Sequence, residues 1–86
     1  MYSIKFSRQA IKDKDKLKGT LLYTKAKDLV GILRQNPFQN PPKYEKLVGD
    51  LNGLYSRRIS RHHRIWYSVD TKERIVRILR MWSHYE

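Results

Sequence analysis

Leu51-Asn52-Gly53-Leu54-Tyr55-Ser56-Arg57-Arg58-Ile59-Ser60-Arg61-His62-His63-Arg64-Ile65-Trp66-Tyr67-Ser68-Val69 is the stretch on which the fold turns. In its second half Ile65, Tyr67 and Val69 alternate with Arg64, Trp66 and Ser68, the period of two that marks a strand with one buried face. Four arginines and two of the three histidines of the chain fall within it. An arginine on the opposite face of such a strand calls for an anion, because a planar fork of donors matches phosphate and carboxylate oxygens.

The flanking sequence reads outward from this strand as an ordered series. Ser60 and Arg64 bound the turn Arg61-His62-His63, so Leu54–Ser60 and Arg64–Val69 form an antiparallel pair. Asp70-Thr71-Lys72-Glu73 is the next turn, and Arg74–Trp82, rich in β-branched residues, is a further strand. Toward the N-terminus, Gly49-Asp50 and Asn52-Gly53 are turn signals and Tyr44–Val48 is a short strand. Pro37–Pro42 is a loop. Leu22, Ala26, Leu29 and Leu33 recur at i, i+4, i+7 and i+11, one face of a helix that Thr20 caps and Asn36-Pro37 ends. A weaker stripe through Ala10 or Ile11, the stem of Lys14 and Leu17 predicts a helix from Arg8 to Lys18, with Ser7 as its cap and Gly19 past its end. Tyr2–Phe6 is a first strand. Strand, two helices and a meander of strands make an α+β domain over residues 1–86, with the helices on one face of a mainly antiparallel sheet. The Arg64 face is then expected to stand open to a polyanion.

Composition narrows the class. Eighty-six residues leave room for one core. The absence of cysteine removes disulfides and thiolate metal sites. No apolar run approaches the ~20 residues of a membrane span, and the N-terminus reads as a strand, not a secretion signal. The expectation is a cytoplasmic protein. Nineteen Lys and Arg against eight Asp and Glu give a net charge of +11, which raises on-rates for nucleic acid or acidic proteins. Before Gly53 the cations are nine lysines and two arginines; after it they are seven arginines and one lysine. The arginine-rich half is the candidate binding surface.

Metal-free RNA cleavage needs a base for the 2′-OH, donors for the phosphate and an acid for the 5′-oxygen. Acid or base assistance contributes about 10²–10⁴-fold. Glu45 is the only carboxylate within a predicted strand, and positive surroundings favour the ionised form that a base requires. The three scattered histidines suggest no metal site, and the four glycines stand singly, so no phosphate loop is present. His62 and His63 sit in a turn and are set aside as catalysts. Tyr55 and Trp66 could stack on bases, although a strand aromatic more often packs.

Glu45 with Leu47, Leu51-Asn52-Gly53, Ser56-Arg57-Arg58-Ile59, His63-Arg64, Tyr67, Val69 and the terminal His84-Tyr85 together resemble the YoeB/Txe family of toxins, within the RelE/ParE superfamily. The resemblance runs over essentially the whole chain and implies the RelE/YoeB-like microbial RNase fold. It also implies an endoribonuclease that cuts mRNA in the ribosomal A site, without a cofactor, and is held inactive by an acidic antitoxin of the YefM/Axe kind. The family's general base matches Glu45, its phosphate-stabilising arginine Arg64, its general acid His84 and its substrate-orienting tyrosine Tyr85. Arg58 matches a second phosphate-facing arginine, and Lys46, Arg57 and Arg80 are the further cations expected on RNA. A homodimer is a further expected assembly. Three departures stand out: Glu86 follows the His-Tyr pair, Val48 replaces a basic residue found in some members, and the Asp70–Glu73 turn is longer. Two rival functions are a ParE-like toxin that poisons DNA gyrase and a basic RNA- or ribosome-binding module. The first has no use for Glu45, Arg64 and His84-Tyr85 together; the second would bind with a steep salt dependence and turn nothing over.

Overall fold

The computed structural model describes residues 1–84, the side chains of Ser83 and His84 excepted. Chain order is β1 (Ser3–Phe6), α1 (Arg8–Leu17), α2 (Leu22–Gln35), β2 (Tyr44–Lys46), a 3-10 turn (Gly49–Leu51), β3 (Tyr55–Arg58), β4 (His63–Asp70) and β5 (Ile75–His84). The strands form one mixed sheet in the order β1-β5-β4-β3-β2, against which both helices pack. The meander β2 to β5 is antiparallel as the turn signals imply, and β1 joins its far edge parallel to β5, pairing Ser3 with Ile75 and Phe6 with Ile78. A parallel pair needs a long crossover, and α1, α2 and the meander supply it.

Local chemistry accounts for the helix limits. Ser7 Oγ accepts the Ala10 N–H at 2.9 Å, which caps α1, and its own hydroxyl donates to the Leu79 carbonyl of β5 at 2.9 Å. Gly19 stops the helix in the left-handed region at φ +82°. Thr20 Oγ1 accepts the Leu22 N–H at 3.2 Å at the start of α2, and Asn36 before Pro37 ends it in an extended conformation. The buried residues of α2 are Ala26, Leu29, Val30 and Leu33. They join Leu17, Ile59, Ile65, Tyr67, Val76, Ile78 and Met81 in one core. Among the described residues, no helix is long and apolar enough to cross a membrane.

The buried stripe of α1 differs from the expectation. Ala10, Asp13 and Leu17 face inward, and Lys14 lies over the Phe6 ring at 5.1 Å instead of filling the stripe. Asp13 is wholly buried. Its carboxylate accepts from Arg80 Nε at 2.9 Å, from the Met81 N–H at 3.0 Å and from Gln9 Nε2 at 2.9 Å. The geometry on the β5 side depends on irregular pairing. β5 carries an extra residue between Ile78 and Arg80 and another between Arg80 and Ser83, relative to β4. Such bulges re-aim side chains, and here they present Arg80 and Met81 to α1.

Burial by itself would raise the Asp13 carboxyl, but the hydrogen bonds from Arg80, Met81 and Gln9 outweigh it and hold the pKa at about 2, below its ordinary 3.8. A depressed carboxyl stabilises the fold above its unfolded pKa. That stabilisation, about 2 kcal/mol for a shift of this size, is lost as the pH falls through the folded value. Asp13→Asn is expected to lose about this much unfolding free energy at neutral pH. In urea titrations the gap between variant and parent should close as the pH falls from about 4 to about 2.

Candidate active-site cleft

Strand register sorts the arginines. Glu45 pairs with Ser56, Ser56 with Trp66, and Arg58 with Arg64, so Glu45, Ser56, Arg58 and Arg64 share one face of the sheet. They line a cleft of about 300 Å³ together with Lys25 and Leu29 of α2 and Pro42 and Lys43 of the loop before β2. The Arg64 face is therefore not open, which corrects the expectation above. α2 borders it, and Arg64 is only 6% exposed. Glu45 and Arg64 approach with Oε1 3.8 Å from Nη1, a charge pairing too long for a hydrogen bond. The two side chains differ in access: that of Arg64 is 8% exposed and that of Glu45 47%. The arrangement is a fixed guanidinium under an accessible carboxylate, flanked by the cations Lys25, Lys43 and Arg58.

Two of the expected phosphate contacts, Arg57 and Lys46, lie on the opposite face. Arg57 pairs with Tyr44 and Ile65 on the opposite face and is 1% exposed, its guanidinium bound to loop carbonyls. An arginine so enclosed has no surface to offer RNA. Arg80 gives its Nε to Asp13, but it pairs with Trp66 on the face of Ser56 and Glu45 and 39% of its side chain is exposed. Lys46 is exposed but pairs with Tyr55, so it faces away from Glu45. For His84 only the backbone is described: it pairs with His63, beside the Arg64–Ser83 pair, which brings the end of β5 alongside the arginine. The His84 side chain and Tyr85 lie outside the described residues. His63 bonds Ser60 Oγ through Nδ1 at 2.9 Å and lies against Trp82, the rings tilted by 52° with centroids 4.1 Å apart.

Sequence reasoning missed Ser56, Lys43 and Lys25. The period of two carried a signal for the first two, since Ser56 is two before Arg58 and Lys43 two before Glu45. Lys25 is four before Leu29 and so flanks the buried stripe of α2. A second cavity of about 280 Å³ lies between the helices and the sheet, lined by Phe6, Tyr23, Val30 and Met81 among others, with no carboxylate or imidazole among the described residues that line it. Among the described residues no group of His, Cys, Asp and Glu could hold a metal ion.

The family described as the YoeB-like toxin of bacterial type II toxin–antitoxin systems matches residues 6–85. The toxin YoeB of Mycobacterium bovis is 39% identical over 57 residues, 66% of this chain and 65% of that protein. The match thus spans slightly less than two thirds of that relative. Among solved structures, the YoeB/ParE toxin from Agrobacterium tumefaciens superposes with a TM-score of 0.86 at 27% identity, covering 96% of this chain and 99% of that one. The toxin of the Staphylococcus aureus YoeB–YefM complex gives 0.81 at 32% identity over 99% of both chains, and the YoeB dimer from that organism 0.82 at 32% over 98% of both.

The register predicts which cations matter for polyanion binding. Arg58→Ala, at an exposed cleft position, is expected to lower the slope of log K against log salt for single-stranded RNA by about 0.7. Arg80→Ala, which strips the buried Asp13 of its guanidinium, is expected above all to lower the unfolding midpoint. Fluorescence titrations at several salt concentrations, with thermal melts, separate the two.

Proposed function

The chain belongs to the YoeB-like toxins of bacterial type II toxin–antitoxin systems, and from that premise we propose that it is a ribosome-dependent endoribonuclease that cuts mRNA in the A site by 2′-OH attack. The observation that carries the reading is the meeting of Glu45 and Arg64, 3.8 Å apart, in a cleft bordered by cations. In the proposed reaction the Glu45 carboxylate takes the 2′-OH proton and the 2′-oxygen attacks phosphorus. Arg64 and Arg58 donate to the phosphate oxygens as charge builds on them, an effect worth on the order of 10²–10³-fold per preorganised donor. The P–O5′ bond then breaks, leaving a 2′,3′-cyclic phosphate, and the imidazole of His84 supplies the proton to the 5′-oxygen. Tyr85 orients the nucleotide. The roles of His84 and Tyr85 rest on the family resemblance, supported by the path of β5, whose backbone carries His84 to a place opposite His63. With base, acid and phosphate cations all drawn from side chains, the chemistry asks for no metal.

The proposed protein partner is an acidic antitoxin, and the related toxin of S. aureus occurs with YefM. A net charge of +11 would draw such a partner in by long-range attraction. A second copy of the chain is the other proposed partner, since the S. aureus relative also occurs as a dimer. The proposed site of action is the cytoplasm, where mRNA and ribosomes meet.

The reading is tested by adding the protein to a translating extract and mapping mRNA 5′ ends. Cuts within codons are expected. Glu45→Gln and Arg64→Ala should still bind ribosomes yet cut about 10²-fold more slowly or worse. Removing residues 84–86 should abolish cutting while circular dichroism stays native. Intact mRNA with damaged DNA would overturn the nuclease reading in favour of gyrase poisoning. Intact nucleic acid with salt-sensitive ribosome binding would leave only a binding module.

A further inference from the structure

Arg57 is a buried cation with no carboxylate pairing it among the described residues. Such a group is costly to bury, and an apolar residue of the same volume would often serve stability better. Its surroundings show what it does instead. The loop that leads into β2 curls around the guanidinium: Nη1 donates to the Pro42 carbonyl at 2.6 Å, and Nη2 to the carbonyls of Pro37 and Gln39, both at 2.9 Å. The Tyr44 ring lies 4.9 Å from Cζ, and Phe38, Tyr44, Tyr55 and Tyr67 close the cluster edge to face and stacked. Tyr67 Oη donates to the same Pro37 carbonyl at 3.1 Å.

Glu45 needs such a support. It stands on a three-residue strand at the sheet edge, paired on one side only, by β3. So short an edge strand has little hold of its own. The segment preceding it passes Pro42 and Lys43, which also border the cleft. Fixing the Pro42 carbonyl fixes the approach of the chain to Tyr44 and Glu45.

We propose that Arg57 is a positioning residue: by holding the loop carbonyls of Pro37, Gln39 and Pro42 it sets the Glu45 carboxylate opposite Arg64. It touches no substrate, because it points to the other face of the sheet. The three carbonyls are divided between Nη1 and Nη2 of one rigid plane, a spread of donors that the compact ammonium of lysine does not reproduce. The activity arm of the test rests on the nuclease reading above; the structural arm does not.

The variants are Arg57→Lys and, as a milder change that keeps the buried cation, Tyr67→Phe, which removes the second donor to Pro37. Circular dichroism and melting establish that each is folded. In the translating extract, Arg57→Lys is expected to lower kcat by up to about 10²-fold with KM little changed, as displacement of a catalytic group by about 1 Å does; Tyr67→Phe should lower it less. In a Glu45→Gln background neither change should slow cutting further. Crystals of the variants should show the Glu45–Arg64 separation lengthened beyond 3.8 Å. An equal loss with and without Glu45, or an unmoved Glu45 in a folded variant, overturns the proposal. Should Arg57→Lys fail to fold, Tyr67→Phe decides by the same two readouts. If the parent cuts no RNA, the nuclease reading falls while the Glu45–Arg64 separation still decides for or against positioning.

Discussion

The burial of Asp13 against β5 is the contact on which the architecture depends. β5 is hydrogen-bonded on both edges, parallel to β1 and antiparallel to β4, so whatever sets its position sets the sheet. Asp13 fixes it to α1 through one backbone N–H and one guanidinium, and Ser7 adds a bond from the helix cap to Leu79. A chain of this size buries only roughly 60–65% of its unfolded surface, and its net charge of +11 opposes compaction. Under that constraint a few well-satisfied buried polar groups carry more of the specification than they would in a larger domain.

Much of this was legible in the order of residues, and the parts that were not share a cause. Both helices, the Ser7 cap of α1 and the meander follow from local signals: Ser7, Gly19, the leucine period of α2, and the turns at Gly49 to Gly53 and Asp70 to Glu73. The alternation of Ile65, Tyr67 and Val69 identified β4 correctly. What escaped was decided by contacts distant in sequence. The stretch Lys12-Asp13-Lys14-Asp15-Lys16 reads as a solvated helix, yet Asp13 falls at i+3 from Ala10 and i−4 from Leu17, on the buried stripe. Its partner Arg80 comes into reach only because β5 bulges, and no turn residue announces those bulges. The parallel pairing of β1 with β5 is likewise invisible to any window of neighbouring residues.

The site shows the same division. That Glu45 and Arg64 would be the residues to watch was legible, one as the lone strand carboxylate and the other as the arginine on the side of the alternation expected to be open. The structure brings the two within 3.8 Å. Arg57 and Arg58 look interchangeable as a basic pair, but the period of two separates them absolutely. Arg58 shares a face with Ser56 and Arg64, and Arg57 shares one with Tyr55, Ile65 and Tyr67. The aromatic company of Arg57 was the available clue, since an arginine among tyrosines and prolines is placed to be covered by rings and carbonyls. Counting arginines as one binding surface merged a group aimed at the cleft with a group that holds the chain behind it.

Strand position explains the contrast in burial between Glu45 and Arg64. The guanidinium of Arg64 belongs to a strand paired on both sides, so its position is set by the sheet. The carboxylate belongs to the outermost strand, and half of its side chain is open to solvent. A base must reach a proton that arrives with the substrate, whereas a group that stabilises developing charge works best when it does not reorganise. On the proposed reading, with Glu45 as base and Arg64 on the phosphate, the edge strand gives the first its access and the inner strand gives the second its rigidity. A short edge strand costs precision of placement, and in the proposed arrangement the loop held by Arg57 offsets that cost from the face opposite the cleft.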